Sequence, residues 1–276
     1  MKVSTKVNGV VISKLMNFGK LLINPSEHLL PKWIVSKADP ERGIVDIFIC
    51  NLGRARSKEL LLDVGAGNFR FQNFLEEQGF IYESQDFDQV FDRDMRGKHT
   101  YVCDIEHIPV DDNRFDVIVC TQVLEHLSNP LLALQELSRI LKVGGKLYLT
   151  TNLLFPIHGA PYDFFRYTNF GLEHLCRNSD FSILELKPRG GCYNFIAKIV
   201  FDFPAIIKSW LFYDGANPHG QRQLKVRSIF IVIPLVPVVF IIDLVCTFIA
   251  LILSRFDFID KKKRFTLGYQ LIATRM

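Results

Sequence analysis

Between Glu59 and Leu186 short apolar runs alternate with stretches of helical spacing. Strands are predicted at Leu60–Val64, Ile81–Gln85, Tyr101–Asp104, Phe115–Thr121, Lys146–Thr151 and Ser182–Leu186. Helices are predicted at Phe71–Gln78 and Leu131–Leu141, the second closed by Gly144-Gly145 as a C-cap. Strand and helix in alternation imply an α/β fold, a mostly parallel sheet with helices on both faces. In such sheets ligands bind beyond the carboxyl ends of the strands.

Outside this stretch the pattern changes. Val10, Val11, Leu15, Phe18, Leu21 and Leu22 recur at helical spacing, and Ile44–Leu52 is a second candidate helix, so residues 1–58 read as an N-terminal helical cap. Cys192–Tyr213 is apolar but carries Lys198, Asp202 and Lys208. Ser228–Leu253 is almost wholly apolar, with Asp243 its single charge. Phe265–Thr274 again reads as a strand.

Composition adds little to this division. Apolar residues are 49% of the chain, enough for a full core, and the net charge of +4 gives no reason to expect nucleic acid. Six cysteines are present without a C-x-x-C pair, so neither a metal site nor a disulfide framework is expected. The N-terminal apolar residues are interrupted by Lys2, Lys6, Lys14 and Lys20, and no signal peptide is read there.

Candidate chemistry begins at Leu60–Gly67, LLLDVGAG. A short strand ending in Asp63 runs into a turn with Gly65 and Gly67, where backbone N–H groups can approach a small ligand. Further signals follow in order: Asp86, Asp104-Ile105, the run FDVIVCTQVLEHL at 115–127 and LSRILKVGGKLYLTT at 137–151. The set resembles the class I S-adenosylmethionine-dependent methyltransferases, and within them the type 11, small-molecule branch. The resemblance covers about Glu59 to Leu186 and resumes at the last strand. It implies a Rossmann-like fold with a seven-stranded, mostly parallel sheet and S-adenosylmethionine as cofactor.

The resemblance also implies roles. Asp63 would order the glycine turn, and Gly65 and Gly67 would let the backbone pass the amino-acid part of the cofactor. Asp86, about 20 residues beyond the turn, would accept from both ribose hydroxyls, with Asp88 as the alternative. Asp104 would meet the adenine amino group, and Ile105 would supply a backbone N–H and an apolar face. Thr121 and Gln122 would lie near the transferred methyl. One departure stands out: Phe69 occupies the third glycine position of the family's G-x-G-x-G turn.

Beyond the fifth strand the loop PIHGAPYDFFRYT, 156–168, gathers His158, Asp163, Arg166 and several aromatics, a plausible substrate wall. A similar loop accompanies methyltransferases of surface-polysaccharide and lipid-linked sugar pathways. Methyl transfer rests chiefly on alignment, but a hydroxyl acceptor must also lose a proton, for which a histidine near pH 7 is suited. His158 is the first candidate base and His126 the second; a loop histidine bonded only to backbone is the alternative for His158. Asp163 and Arg166 are expected to form an ion pair that shapes the loop, with phosphate or carboxylate binding the other use of Arg166.

The segment 191–264 then reads as an insertion that leaves the sheet and returns for its last strand, 265–276, so that the core is 59–190 plus this strand. As one helix Ser228–Leu253 is about 39 Å long, against roughly 30 Å for a bilayer core. A single span would leave the last strand on the wrong side. A helical hairpin docked on the membrane from the cytoplasmic side is therefore expected, with Pro234 and Pro237 bending the second segment. Arg222, Lys225 and Arg227 precede the apolar run and Lys261-Lys262-Lys263-Arg264 follow it, suited to anionic lipid headgroups. The expected activity is methylation of an oxygen, or a nitrogen, on a lipid-linked or membrane-proximal small molecule or glycan. A membrane-associated scaffold that keeps the fold without catalysis is the competing class. The sequence leaves the oligomeric state open.

Overall fold

The computed structural model describes residues 30–87, 98–216, 222–224 and 229–276. The predicted helix over Val10–Leu22, the alternative ribose ligand Asp88, and the flanking Lys225 and Arg227 lie outside the described residues. Two compact units are present: one comprises 44–192 with 261–276, the other 193–260 with the described part of 1–43.

The first unit is built on a seven-stranded sheet, β1 (Leu60–Val64), β2 (Ile81–Asp86), β3 (Tyr101–Val102), β4 (Phe115–Thr121), β5 (Leu141–Asn152), β6 (Phe181–Arg189) and, after the insertion, β9 (Gly268–Arg275). The strand order is β3-β2-β1-β4-β5-β9-β6. Pairings among β1 to β5 are parallel, and β9 enters antiparallel between β5 and β6. This is the seven-stranded, mostly parallel fold expected from the motif order.

Side-chain alternation along each strand divides the core in two. On one face Leu62, Val64, Ile118, Cys120, Leu147 and Leu149 pack with Ala133, Leu134, Leu137 and Ile140 of α4 (Pro130–Ile140) and with Leu172 and Cys176 of α5 (Asn169–Arg177). On the other, Leu61, Val117, Val119 and Tyr148 pack with Val45, Phe48 and Ile49 of α2 (Pro40–Cys50) and Leu75 of α3 (Gln72–Glu77). Both faces are covered, so the central strands read as nearly unbroken apolar runs.

One boundary differs from expectation. α4 ends at Ile140 and the chain enters β5 at once; Gly144-Gly145 lie inside the strand and do not cap the helix. The last carbonyls of the helix are met by other parts of the chain. Asn113 N–H donates to Arg139, Arg114 N–H to Ile140, and the Arg275 guanidinium to the carbonyls of Arg139 and Leu141. With its orphan acceptors satisfied from outside, the helix needs no Schellman turn.

The second unit contains α1 (Lys32–Ala38), α6 (Cys192–Phe212), a small ribbon of β7 (Tyr213–Ala216) and β8 (Arg222–Leu224), and α7 (Ile229–Arg255). Among the described residues the insertion thus has two α-helices. α7 runs without interruption for 27 residues through Pro234 and Pro237, which do not turn the chain back as the sequence suggested. Each proline removes one backbone donor, and the remaining ladder carries the helix on.

α6 and α7 each bury a charged side chain beside an exposed apolar stripe. On α7, Asp243 is 5% exposed and Thr247 hydroxyl donates to its carbonyl, while Val238, Ile241, Val245, Phe248 and Ile252 stand exposed along one stripe. On α6, Lys198 is 8% exposed and pairs with Asp202 at 2.9 Å and Asp39 at 3.4 Å, while Ile196, Ile199, Phe203 and Ile206 are exposed. Pro237–Ile259 is long and apolar enough to cross a membrane by length and composition, and 22% of its most apolar window is buried.

Candidate functional site

The glycine turn is held from the neighbouring strand. Gly65 and Gly67 both have positive φ, +64° and +54°. A Cβ on Gly65 would fall 2.3 Å from Val123 Cγ2, so only glycine fits there. Gly65 N–H donates to Gln85 Oε1 at 3.4 Å and Gly67 N–H to Asp86 Oδ2 at 2.7 Å. Gln85 in turn donates to the carbonyl of Cys103, 2.7 Å, tying the turn to the end of β3.

Asp63 ends β1 but faces the α2 side of the sheet. It is 2% exposed and accepts from Tyr82 Oη at 2.9 Å. Burial first, eased by the Tyr82 bond and reinforced by nearby Asp86, pushes its carboxyl up to about 7. Phe69, at the third glycine position, keeps the left-handed conformation that a glycine would take, φ 58°. Its ring lies 4.6 Å from the imidazole of His99, which stands 4.0 Å from Asp86 Oδ2. The phenylalanine therefore preserves the turn's backbone path, at a conformational cost of about 1 kcal/mol.

Asp86 closes β2 with Oδ1 on the N–H of Phe87 and Oδ2 on that of Gly67. Each carboxylate oxygen accepts more than one bond, so the group retains capacity for two ribose hydroxyls. Asp104 is exposed and its Oδ1 accepts from Glu106 N–H at 3.0 Å; Ile105 beside it is buried. Space over Gly67 is open, with nothing within 4 Å of where a Cβ would stand. Open backbone at the turn, a strand-end carboxylate and an apolar residue at the third strand fit S-adenosylmethionine.

At the end of β4, Thr121 pairs with Thr150 of β5. Gln122 takes a left-handed φ of 57°, and both its N–H and its side-chain amide donate to Thr150, at 3.0 and 2.9 Å. The chain then enters a 3-10 turn, Leu124–His126, carrying Glu125 and His126.

The loop after β5 folds back over that turn. Phe164 and Phe165 N–H donate to the carbonyl of Glu125, and Tyr167 Oη to that of Leu124. Asp163 and Arg166 form the expected ion pair, with two bonds of 2.6 and 2.9 Å, and Asp163 also accepts from His158 N–H. The Arg166 guanidinium, the largest influence, holds the Asp163 carboxyl well below its ordinary range. This closure brings His158 against His126, ring centroids 4.7 Å apart. Burial first, then His126, lowers the His158 imidazole below its ordinary value. Glu125 is fully buried and accepts from Asn152 Nδ2 at 2.8 Å, and Asn152 Oδ1 accepts from the fully buried Arg189 at 2.9 Å.

Of the residues singled out in the sequence, the structure gathers Gly65, Gly67 and Asp86 at one end of the sheet's carboxyl edge. Glu125, His126 and His158 cluster further along that edge. Gln85, His99, Asn152 and Arg189 carried no motif. Their signal is only a polar residue in an otherwise apolar run, as Gln85 in β2 and Asn152 at the end of β5.

Residues 62–149 match the family model described as a methyltransferase domain. An uncharacterized protein of Methanocaldococcus jannaschii is 35% identical over 137 residues, 49% of this chain and 51% of that protein. A ubiquinone biosynthesis O-methyltransferase of Coxiella burnetii is 32% identical over 119 residues, 38% of this chain and 50% of that protein. The chain thus spans about half the length of the curated relatives it matches. Among solved structures the cyclase SpnF shares the fold, with a TM-score of 0.51 at 19% identity over 85% of this chain and 80% of that one. Motif order, sheet topology and the matched model agree that residues 62–149 carry a methyltransferase domain, with S-adenosylmethionine as its cofactor.

Proposed function

We propose that the protein transfers a methyl group from S-adenosylmethionine to an oxygen of a lipid-linked or membrane-proximal acceptor, at the cytoplasmic face of a membrane. The observation that carries the membrane part is the inverted patterning of α6 and α7: charges inside, apolar stripes outside. A water-exposed stripe of Val238, Ile241, Val245, Phe248 and Ile252 is costly at about 25 cal/mol per Å², whereas an interfacial helix buries it in lipid. The name of the Coxiella burnetii relative, an O-methyltransferase, supports an oxygen acceptor.

In this reading the Gly65–Gly67 backbone and Asp86 hold the cofactor, with Ile105 against its ring. Bound there, S-adenosylmethionine supplies a methyl already activated on a sulfonium. The protein's task is alignment of the acceptor and handling of its proton. Glu125, His126 and His158 are the groups placed to act on that proton, and the Asp163–Arg166 pair fixes the loop that brings His158 to them.

Calorimetry of the full chain with S-adenosylmethionine tests the first half. Binding is expected, and Asp86→Ala should weaken it at least tenfold; no binding at millimolar cofactor overturns the reading. Salt-washed membranes test the second half: the full chain should remain bound, and a fully soluble chain overturns membrane docking. Mass spectrometry of lipid and glycan extracts, with and without the protein, identifies the acceptor.

A further inference from the structure

Glu125, His126 and His158 each present one ligand atom, and the three atoms lie within 4.8 Å of one another. Two sit on the 3-10 turn after β4, and the third is brought by the loop after β5. His126 Nδ1 donates to the carbonyl of Tyr162 at 2.5 Å. His158 Nδ1 donates to the carbonyl of Pro156 at 3.2 Å, with Asp163 Oδ2 3.6 Å away. A carbonyl only accepts, so both rings carry their proton on Nδ1 and their lone pair on Nε2. Glu125 is oriented by Asn152, and Asn152 by Arg189.

Nδ1–H on a backbone carbonyl and a carboxylate steered by an amide are the supporting bonds that orient metal ligands. We propose that Glu125, His126 and His158 form a binding site for a divalent transition-metal ion, zinc by its donor set. Two imidazoles and one carboxylate leave a position open on a four-coordinate ion, as in catalytic rather than structural zinc sites. Tetrahedral coordination at about 2.1 Å sets ligand atoms about 3.4 Å apart, so side-chain shifts of about 1 Å close the site. The open position takes an oxygen of the acceptor, with the ion as Lewis acid. On this assignment the imidazoles act on the acceptor's proton through the ion. That role rests on the methyl-transfer reading, whereas the binding of the ion does not.

The test uses untagged full-length protein in detergent, stripped with chelator and returned to chelator-free buffer. Calorimetry should give one Zn²⁺ per chain, and Co²⁺ should give the intense visible bands of a four-coordinate ion. His126→Asn and His158→Asn should each weaken Zn²⁺ by about 100-fold or more, while melting temperature and S-adenosylmethionine affinity stay at the parent values. Absence of stoichiometric Zn²⁺ and of the Co²⁺ bands overturns the proposal without any variant, and so does Zn²⁺ uptake unchanged in both variants. Lost Zn²⁺ with S-adenosylmethionine binding intact removes the metal site alone. Zn²⁺ binding without S-adenosylmethionine binding removes the methyltransferase reading and leaves the metal site.

Discussion

The two units differ in what their main elements expose. In the sheet unit Ile118, Leu134 and Leu147 are fully buried, and the buried ionisable groups Asp63, Glu125 and Arg189 are hydrogen-bonded to Tyr82 and Asn152. In the helical unit Lys198 and Asp243 are buried and Ile241 and Phe248 are exposed. The first is the arrangement water imposes. The second is the arrangement expected under the proposed docking of these helices on a membrane.

The same substitution in each unit should break this contrast most sharply. Ile118→Glu places a carboxylate in a wholly apolar layer, at a cost of several kcal/mol, and should abolish folding as read by thermal melting. Phe248→Glu, on a side chain 65% exposed, should leave melting within about 0.5 kcal/mol while reducing sedimentation with anionic vesicles. Unchanged vesicle binding would count against lipid as the covering.

The interior of the helical unit responds to loss of its charge. Lys198→Met removes the ammonium shared by Asp39 and Asp202, leaving Asp39 with Arg42 at 3.5 Å, and should destabilise that unit by about 3 kcal/mol, seen as faster proteolysis within 193–260. In the sheet unit the glycine turn is next: Gly65→Ala collides with Val123 and should cost about 1–3 kcal/mol, with a parallel loss of S-adenosylmethionine affinity in calorimetry.

The sheet unit also carries a pH dependence. Asp63 holds its proton up to about pH 7 in the folded chain, against an ordinary value of 3.8. Between these values the folded state binds a proton that the unfolded state has released, so this group's contribution falls as pH rises from about 4 to 7 and stays low above. Asp63→Asn should remove that slope, measured by denaturant titration at pH 5 and pH 8.

Legibility followed the range of the forces involved. β1 and β4 begin and end where the apolar runs do, since a buried strand needs an apolar residue at nearly every position. The end of α4 is legible to within one residue, but its cap is not Gly144-Gly145, because its terminal carbonyls are satisfied by Asn113, Arg114 and Arg275, which no local pattern reveals. Phe69 stands out in the sequence as a departure from the glycine turn; the folded chain keeps the left-handed backbone there and lays the ring against His99.

By itself the sequence determined the sheet's strands, the methyltransferase domain and the glycine turn, because periodicity and short motifs are written locally. It also marked the apolar insertion. Only the tertiary structure decided that Lys198 and Asp243 turn inward beneath apolar stripes. It alone brought His158 beside Glu125 and His126, through loop bonds to the Glu125 carbonyl and the Asp163–Arg166 pair. No spacing announces that cluster, because its members meet only when the ends of two adjacent strands are aligned by the sheet.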